Sequence, residues 1–350
     1  MKKILIALLF PWVMIHSQQT EKEPLNIILM IGDGMGLSQI TAGMYVNNNT
    51  STLENFSVVG LSKTHAIKSL VTDSAASGTA MACGDKTYNG VVGINYLNKN
   101  LKSILEICEE NGYNTGLIAT SSIVHATPAS FYANVSSRKK YEDIAMQLST
   151  SEVDYFIGGG KKHFNQREDG RNLIKEMKSF DMVKNLKGFQ KSEADKIGLF
   201  TYKDEPPSLN QGRDPLLPEY LSATLEKFKN REKPFFVLVE GSQIDWGGHA
   251  NDVDYITSEF IEFNNAIGVA LNFLEENPNT LIVVTADHET GGLAIIKGKT
   301  KNFEIEAGFN TGGHSATMVP VFSHGKNASL FSGIYDNTQI FHKIKEAAGL

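Results

Sequence analysis

Cysteine is scarce: Cys83 and Cys108 are the only two in 350 residues. That excludes a small disulfide-stapled scaffold and a zinc module built on thiolates. Pairing of the two and a pair of buried free thiols both remain open at this level. Positive charge is not in excess either, with 33 Lys and Arg against 39 Asp and Glu and a formal net charge of -6. A nucleic-acid binder would need a basic stripe, and the sequence has none. Long apolar runs are missing beyond the first residues. Residues 4–15 are apolar apart from Pro11, a stretch too short to span a bilayer. With Lys2 and Lys3 before it and Ser17, Gln18 and Gln19 after it, this stretch has the form of a secretory signal over residues 1–17. Residues 18–350 are then expected as one domain, periplasmic or secreted, with no membrane attachment after cleavage. Internal repeats and low-complexity segments are absent, and 41% hydrophobic residues suffice for a large core, which excludes disorder as the main state.

What is present is alternation. Short apolar runs at 26–31, 116–120, 155–157, 235–239, 281–285 and 318–323 predict strands. Between them, 101–110, 138–148, 218–228, 253–274 and 337–347 carry helical periodicity, the first ending on an Asn111-Gly112 cap signal. The expected fold is α/β, a mostly parallel central sheet with helices on both faces. Residues 161–233 are richer in charge and hold Pro206, Pro207, Pro215 and Pro218; they are expected as a peripheral insertion within the one domain.

Open α/β sheets bind ligands beyond the carboxyl ends of their strands, and polar residues fall at those points. Asp33 follows the first strand, Glu240 ends the run 235–239, and Asp287 and His288 follow 281–285. Neighbouring strands would bring these carboxylates together, where they repel without cations. Asp245 and His249 stand four apart with glycines between them, and His314 sits in a second glycine-rich loop. Histidine with aspartate is a zinc-type ligand set. Ser74 opens a run of small residues suited to a helix start, where free amides favour an anion. It is either a plain helix cap or a nucleophile. It lacks the Gly-x-Ser-x-Gly elbow of serine hydrolases, so a metal would have to activate it.

Six blocks, in order, carry a resemblance. They are Ile31-Gly-Asp-Gly-Met-Gly36, Thr72-Asp-Ser-Ala-Ala-Ser-Gly78, His125-Ala-Thr-Pro-Ala129 with Ser137-Arg138, Glu240-Gly-Ser-Gln-Ile-Asp245 with His249, Thr285-Ala-Asp-His-Glu289, and Gly313-His314. Together they resemble the alkaline phosphatases, metal-dependent phosphomonoesterases with a serine nucleophile. The compact length, His125 and Trp246 look most like members from marine and cold-environment bacteria. The resemblance implies two zinc ions and one magnesium ion. Asp245, His249 and His314 match the first zinc site. Asp33, Asp287 and His288 match the second. Asp33, Thr127 and Glu240 match the magnesium site. Ser74 matches the nucleophile that forms a phosphoserine, and Arg138 the phosphate clamp. A homodimer acting on small phosphomonoesters is implied as well. His125 and Trp246 depart from the best-known bacterial pattern, which has aspartate and lysine there, so they are expected to tune the third site and phosphate binding. With three divalent ions and Arg138 the site would carry about +3, suited to a phosphate dianion.

Other readings fit less well. A sulfatase needs x-Pro-x-Arg after its nucleophile, and Ser74 is followed by Ala75, Ala76, Ser77 and Gly78. Related phosphodiesterases generally use threonine and lack the third site. A dinucleotide-binding module would show G-x-G-x-x-G rather than Gly32-Asp-Gly-Met-Gly36, and Asp33 would repel a pyrophosphate.

Overall fold

The computed structural model describes residues 24–350; the expected signal at 1–17 lies outside the described residues. Fourteen strands follow in chain order: β1 (Asn26–Gly32), β2 (Val58–Lys63), β3 (Asn114–Ser122), β4 (Tyr155–Gly159), β5 (Phe180–Val183), β6 (Lys196–Phe200), β7 (Phe235–Gly241), β8 (Thr280–Thr285), β9 (Glu289–Thr290), β10 (Ala294–Lys299), β11 (Glu304–Gly308), β12 (His314–Ser315), β13 (Val319–Gly325) and β14 (Gly333–Asp336). Ten of them form one sheet in the order β14-β2-β13-β8-β1-β7-β3-β4-β6-β5. Within it, β13 alone runs against its neighbours; every other pairing is parallel.

The central strands β7, β8 and β3 are buried along their whole length and apolar through their middles because both of their faces are covered. Ile27, Leu29 and Ile31 of β1 enter one core with residues of the helices Ser74–Cys83, Ile104–Glu110, Tyr141–Ser149 and Thr338–Ala348. Ile28 and Met30 enter a second core with the helices Leu37–Val46, Leu217–Lys229 and Val253–Glu276. The strand period of two thus sorts alternate side chains into the two layers.

Two features differ from the expectation, and one left open is decided. The segment expected as a peripheral insertion supplies β5 and β6, which extend the same sheet at its edge. Its strands are four and five residues long and too brief to stand out in the sequence. The helix expected to begin at Arg138 begins at Tyr141. Arg138 precedes it, with its backbone N–H on Gly90 O at 2.7 Å. Cys83 and Cys108 are buried free thiols, each pushed above its usual range by burial. Among the described residues no helix is long and apolar enough to cross a membrane.

Candidate active site

The four central strands β8, β1, β7 and β3 lie side by side and deliver the expected residues to one rim. In register, Ile31 of β1 pairs with Thr285 on one side and Glu240 on the other. Asp33, Glu240 and the pair Asp287–His288 therefore emerge at one level. His125 and Thr127 follow the end of β3, at the short helix Ala126–Ala129. Asp245 and His249 lie one turn apart on the helix Gln243–His249, with His249 Nε2 3.4 Å from Asp245 Oδ2. β12 brings in His314, whose Nε2 is 3.5 Å from Asp245 Oδ1.

Three groups of side chains have the spacing of cation sites: Asp245–His249–His314, Asp33–Asp245–His288 and Asp33–His125–Glu240. The first matches the set expected for one zinc. The second has Asp245 where Asp287 was expected, though Asp287 Oδ2 is 3.1 Å from His288 Nε2. The third includes His125 itself. Thr127, expected there, has a fully buried hydroxyl with no hydrogen-bond partner.

Unpartnered atoms test whether the set fits cations. Both carboxylate oxygens of Asp33 and Oε1 of Glu240 are buried without a hydrogen bond. Such groups cost free energy unless something pairs them. Burial, with Asp287, Asp245 and Glu240 nearby, holds the Asp33 carboxyl well above the usual range. Burial pushes Glu240 up to about 7. The histidines add a sharper sign. His249 Nδ1 is 2.8 Å from Gly312 O, and His314 Nδ1 is 2.8 Å from Thr72 O. Carbonyls only accept, so both Nδ1 atoms carry the ring hydrogen when the rings are neutral. The two Nε2 lone pairs then face each other at 3.1 Å, which a shared cation would relieve. The donor chemistry fits zinc at the histidine-rich groups and a harder ion near Asp33, Thr127 and Glu240.

Ser74 is the first residue of the helix Ser74–Cys83, and Asp73 caps that helix by accepting from Ala76 N at 3.0 Å. The Ser74 hydroxyl is thus not spent on capping. It lies 3.4 Å from His288 Nε2 and 3.5 Å from Arg138 Nη1. Arg138 is held by Asp73 Oδ2 at 3.1 Å, and its Nη2 lies 3.3 Å from His125 Nε2. Trp246 stands edge-on to His125, ring centres 6.0 Å apart. Burial and the Arg138 guanidinium push His125 down to about 3, so the ring is neutral. With Nε2 accepting from Arg138, the ring hydrogen falls on Nδ1, which is buried and unpartnered. In this arrangement His125 offers a donor, suited to a water on a cation rather than to the cation itself.

Sequence reasoning gave no role to Asp73, Glu289 or Thr290. Asp73 carries a signal, as an N-cap residue directly before a helix start. Glu289 accepts from Gln39 Nε2 at 2.7 Å and from Ser315 Oγ, tying β9 and β12 to the helix Leu37–Val46. Nothing local in the sequence announces that contact, which spans 250 residues. A cavity of about 640 Å³, lined by Glu109, Asn114 and Asp154 among others, opens at the amino ends of the strands. It is not part of this cluster.

The model of the family described as alkaline phosphatase matches residues 25–307. The chain belongs to the alkaline phosphatase family. Alkaline phosphatase 4 of Bacillus subtilis (strain 168) is 35% identical over 343 residues, covering 93% of this chain and 74% of that protein. The alkaline phosphatase from the Antarctic bacterium TAB5 is 41% identical with a TM-score of 0.89, covering 93% of this chain and 98% of that one. The cold-active enzyme from a psychrophilic Shewanella is 30% identical with a TM-score of 0.85, covering 92% and 99%. Two variants of the Antarctic enzyme, with a histidine replaced by glutamate or by aspartate, hold magnesium in a site termed M3. Each is 40% identical to this chain, covering 93% and 98%, with TM-scores of 0.88 and 0.89. The alkaline phosphatase family is metal-dependent, and the chain is a phosphatase enzyme of the α/β architecture expected.

Proposed function

We propose that the chain hydrolyses phosphate monoesters to alcohol and inorganic phosphate through a covalent phosphoserine on Ser74. The observation that carries this reading is the uncapped Ser74 hydroxyl between the Arg138 guanidinium and His288. It stands beside carboxylates and imidazoles whose unpartnered atoms fit cations. Asp245, His249 and His314 would hold one zinc, and Asp33, Asp287 and His288 a second. Asp33, Thr127 and Glu240 would hold magnesium, with His125 beside them. When bound, such ions lower the pKa of coordinated hydroxyl groups and offset charge on attacking and leaving oxygens.

The chain's own residues do the rest. Ser74 Oγ gives up its proton and attacks phosphorus; the ester P–O bond breaks, and the leaving oxygen takes up one proton and departs as the alcohol. Water then attacks the phosphoserine; the Oγ–P bond breaks, one water proton returns to Ser74 Oγ, and the rest of the water leaves with the phosphate. Arg138 is planar and pre-oriented by Asp73, so it can hold two phosphate oxygens at once. Trp246 borders the same space without adding charge, so phosphate should leave more readily than from a lysine-flanked site. His125 is neutral and brings no charge to the third site, so magnesium should be held there less tightly than beside a carboxylate. That agrees with the magnesium seen in the acidic variants of the Antarctic enzyme.

Secretion to the periplasm or medium is proposed from Lys2, Lys3 and the apolar run after them. A homodimer is proposed from family membership. Acid quenching during turnover of p-nitrophenyl phosphate tests the mechanism: one phosphate per chain should be trapped on Ser74. Ser74→Ala should keep its metals and lower kcat by more than about a hundredfold, the scale of losing one catalytic group. Unchanged turnover in that variant rejects the covalent route.

A further inference from the structure

Four histidines face the candidate cation sites, and three of them, His249, His288 and His314, commit Nδ1 elsewhere. For His249 and His314 the partner is a carbonyl, which fixes the tautomer outright. For His288 the partner is the Thr290 hydroxyl at 3.1 Å. A hydroxyl can donate or accept, so this contact alone leaves the His288 tautomer open. The other contact of Thr290 decides it. Thr290 Oγ1 lies 2.5 Å from Asp245 Oδ1, and an ionised carboxylate can only accept. The single hydroxyl hydrogen therefore goes to Asp245. Oγ1 is left as an acceptor for His288 Nδ1–H. The Nε2 lone pair of His288 then points at the space shared by Asp287 Oδ2, Asp33 Oδ1 and Ser74 Oγ, at 3.1, 3.5 and 3.4 Å.

We propose that Thr290 is a positioning residue that sets the His288 tautomer and orients the Asp245 carboxylate, so that one hydroxyl couples the two zinc sites. This rests on the metal reading above. The backbone around Thr290 is shaped for the role. Thr290 is fully buried in β9, and it pairs with His314 in β12. One short strand pair thus aligns the hydroxyl and a histidine of the other site. Two glycines leave the room: a Cβ on Gly34 would lie 2.8 Å from Thr290 Oγ1, and one on Gly248 would lie 2.8 Å from Thr290 Cβ. Gly34 lies in the first of the sequence blocks and Gly248 is one of the glycines between Asp245 and His249, and here they acquire a reason. Partners of this kind, behind a ligand, typically change metal affinity 10–100-fold.

The test uses Thr290→Val, which keeps the shape and deletes the hydroxyl, and Thr290→Ser, which keeps the hydroxyl. Each purified protein is stripped by chelation and titrated with zinc against a chromophoric competitor, and the melting temperature of the stripped form is recorded. Thr290→Val should weaken zinc at both sites by about 10–100-fold, while Thr290→Ser stays near wild type and the stripped proteins melt alike. Wild-type zinc binding in Thr290→Val overturns the inference while leaving the metal reading intact. Thr290→Ser losing as much as Thr290→Val also overturns it, since packing would then be responsible. A wild-type protein that takes up no zinc overturns the metal reading and this inference together.

Discussion

Asp73 does three things with two oxygens. It caps the helix that Ser74 opens through Ala76 N, receives Gly90 N at 3.0 Å, and holds Arg138. Arg138 and Ser74 are thereby fixed to the same residue, so their spacing does not depend on the longer Arg138 side chain finding its own place. Pre-orientation of this kind reduces what must be ordered when phosphate binds. Arg138 is asked for two charge-assisted hydrogen bonds, each worth about 1.5–3 kcal/mol. Arg138→Ala should therefore weaken inhibition by inorganic phosphate at least about tenfold, tenfold being about 1.4 kcal/mol. Activity should stay measurable because Ser74 and the cation ligands remain. Inhibition curves at fixed substrate read this out, and an unaltered inhibition constant would make Arg138 an ordinary partner of Asp73.

The segments between the elements are tied to them by charge as well as packing. Arg213, in the proline-bearing stretch before the helix Leu217–Lys229, is buried between Glu259 and Glu262 of the helix Val253–Glu276. Glu262 also accepts from Leu217 N, and Glu259 from Leu209 N. Burial holds both carboxyls above their usual value, Glu259 at about 7. Their folded pKa values exceed the unfolded ones. The contribution of Glu259 is therefore full below pH 4.5 and is lost as pH rises through about 7, and that of Glu262 falls in the same direction. Arg213→Ala leaves two buried carboxylates uncompensated, a loss of about 3–5 kcal/mol by precedent for buried pairs. The destabilisation should be larger at pH 8 than at pH 5 in urea titrations; equal loss at both would deny the charge its role. This tie was invisible in the sequence, where 161–233 looked peripheral, because its partners lie about 50 residues on. Legibility followed the same rule elsewhere. Strands β1, β7 and β8 carry continuous apolar runs and β3 a short one in its middle, and all four were readable, as were the long helices. β2, β14 and the hairpin of β10 and β11 were not, because they are half exposed and show mixed patterns. The site was legible as types and order of residues. Asp33, Asp245, Asp287 and His288 stood at strand ends or in glycine-flanked turns, whereas Arg138 and Thr127 rested on family resemblance alone. Their approach to Ser74 and Glu240 is a product of the tertiary fold.

At the scale of the whole molecule, the site joins Asp33, near one end of the described chain, to His314, near the other. It exists only once β8, β1, β7 and β3 are side by side. Assembling that sheet drives Asp33, Glu240 and Asp287 to full burial, with Asp245 at 4% exposure. Four carboxylates so placed oppose the fold unless cations hold them, because desolvation and mutual repulsion act in the same direction. Cations that bind the folded chain and not the unfolded one stabilise it by mass action, about 4 kcal/mol at a thousandfold excess over Kd. Metal content, activity and stability should therefore move together. Chelation should abolish phosphatase activity and lower the melting temperature. Zinc with magnesium should restore both, zinc alone only in part, since the Asp33, Thr127 and Glu240 oxygens suit the harder ion. Scanning calorimetry with parallel activity assays on one chelated and reloaded sample decides it. A chelated protein that melts where the untreated protein does would mean that the carboxylates at the strand ends are held apart by something other than cations.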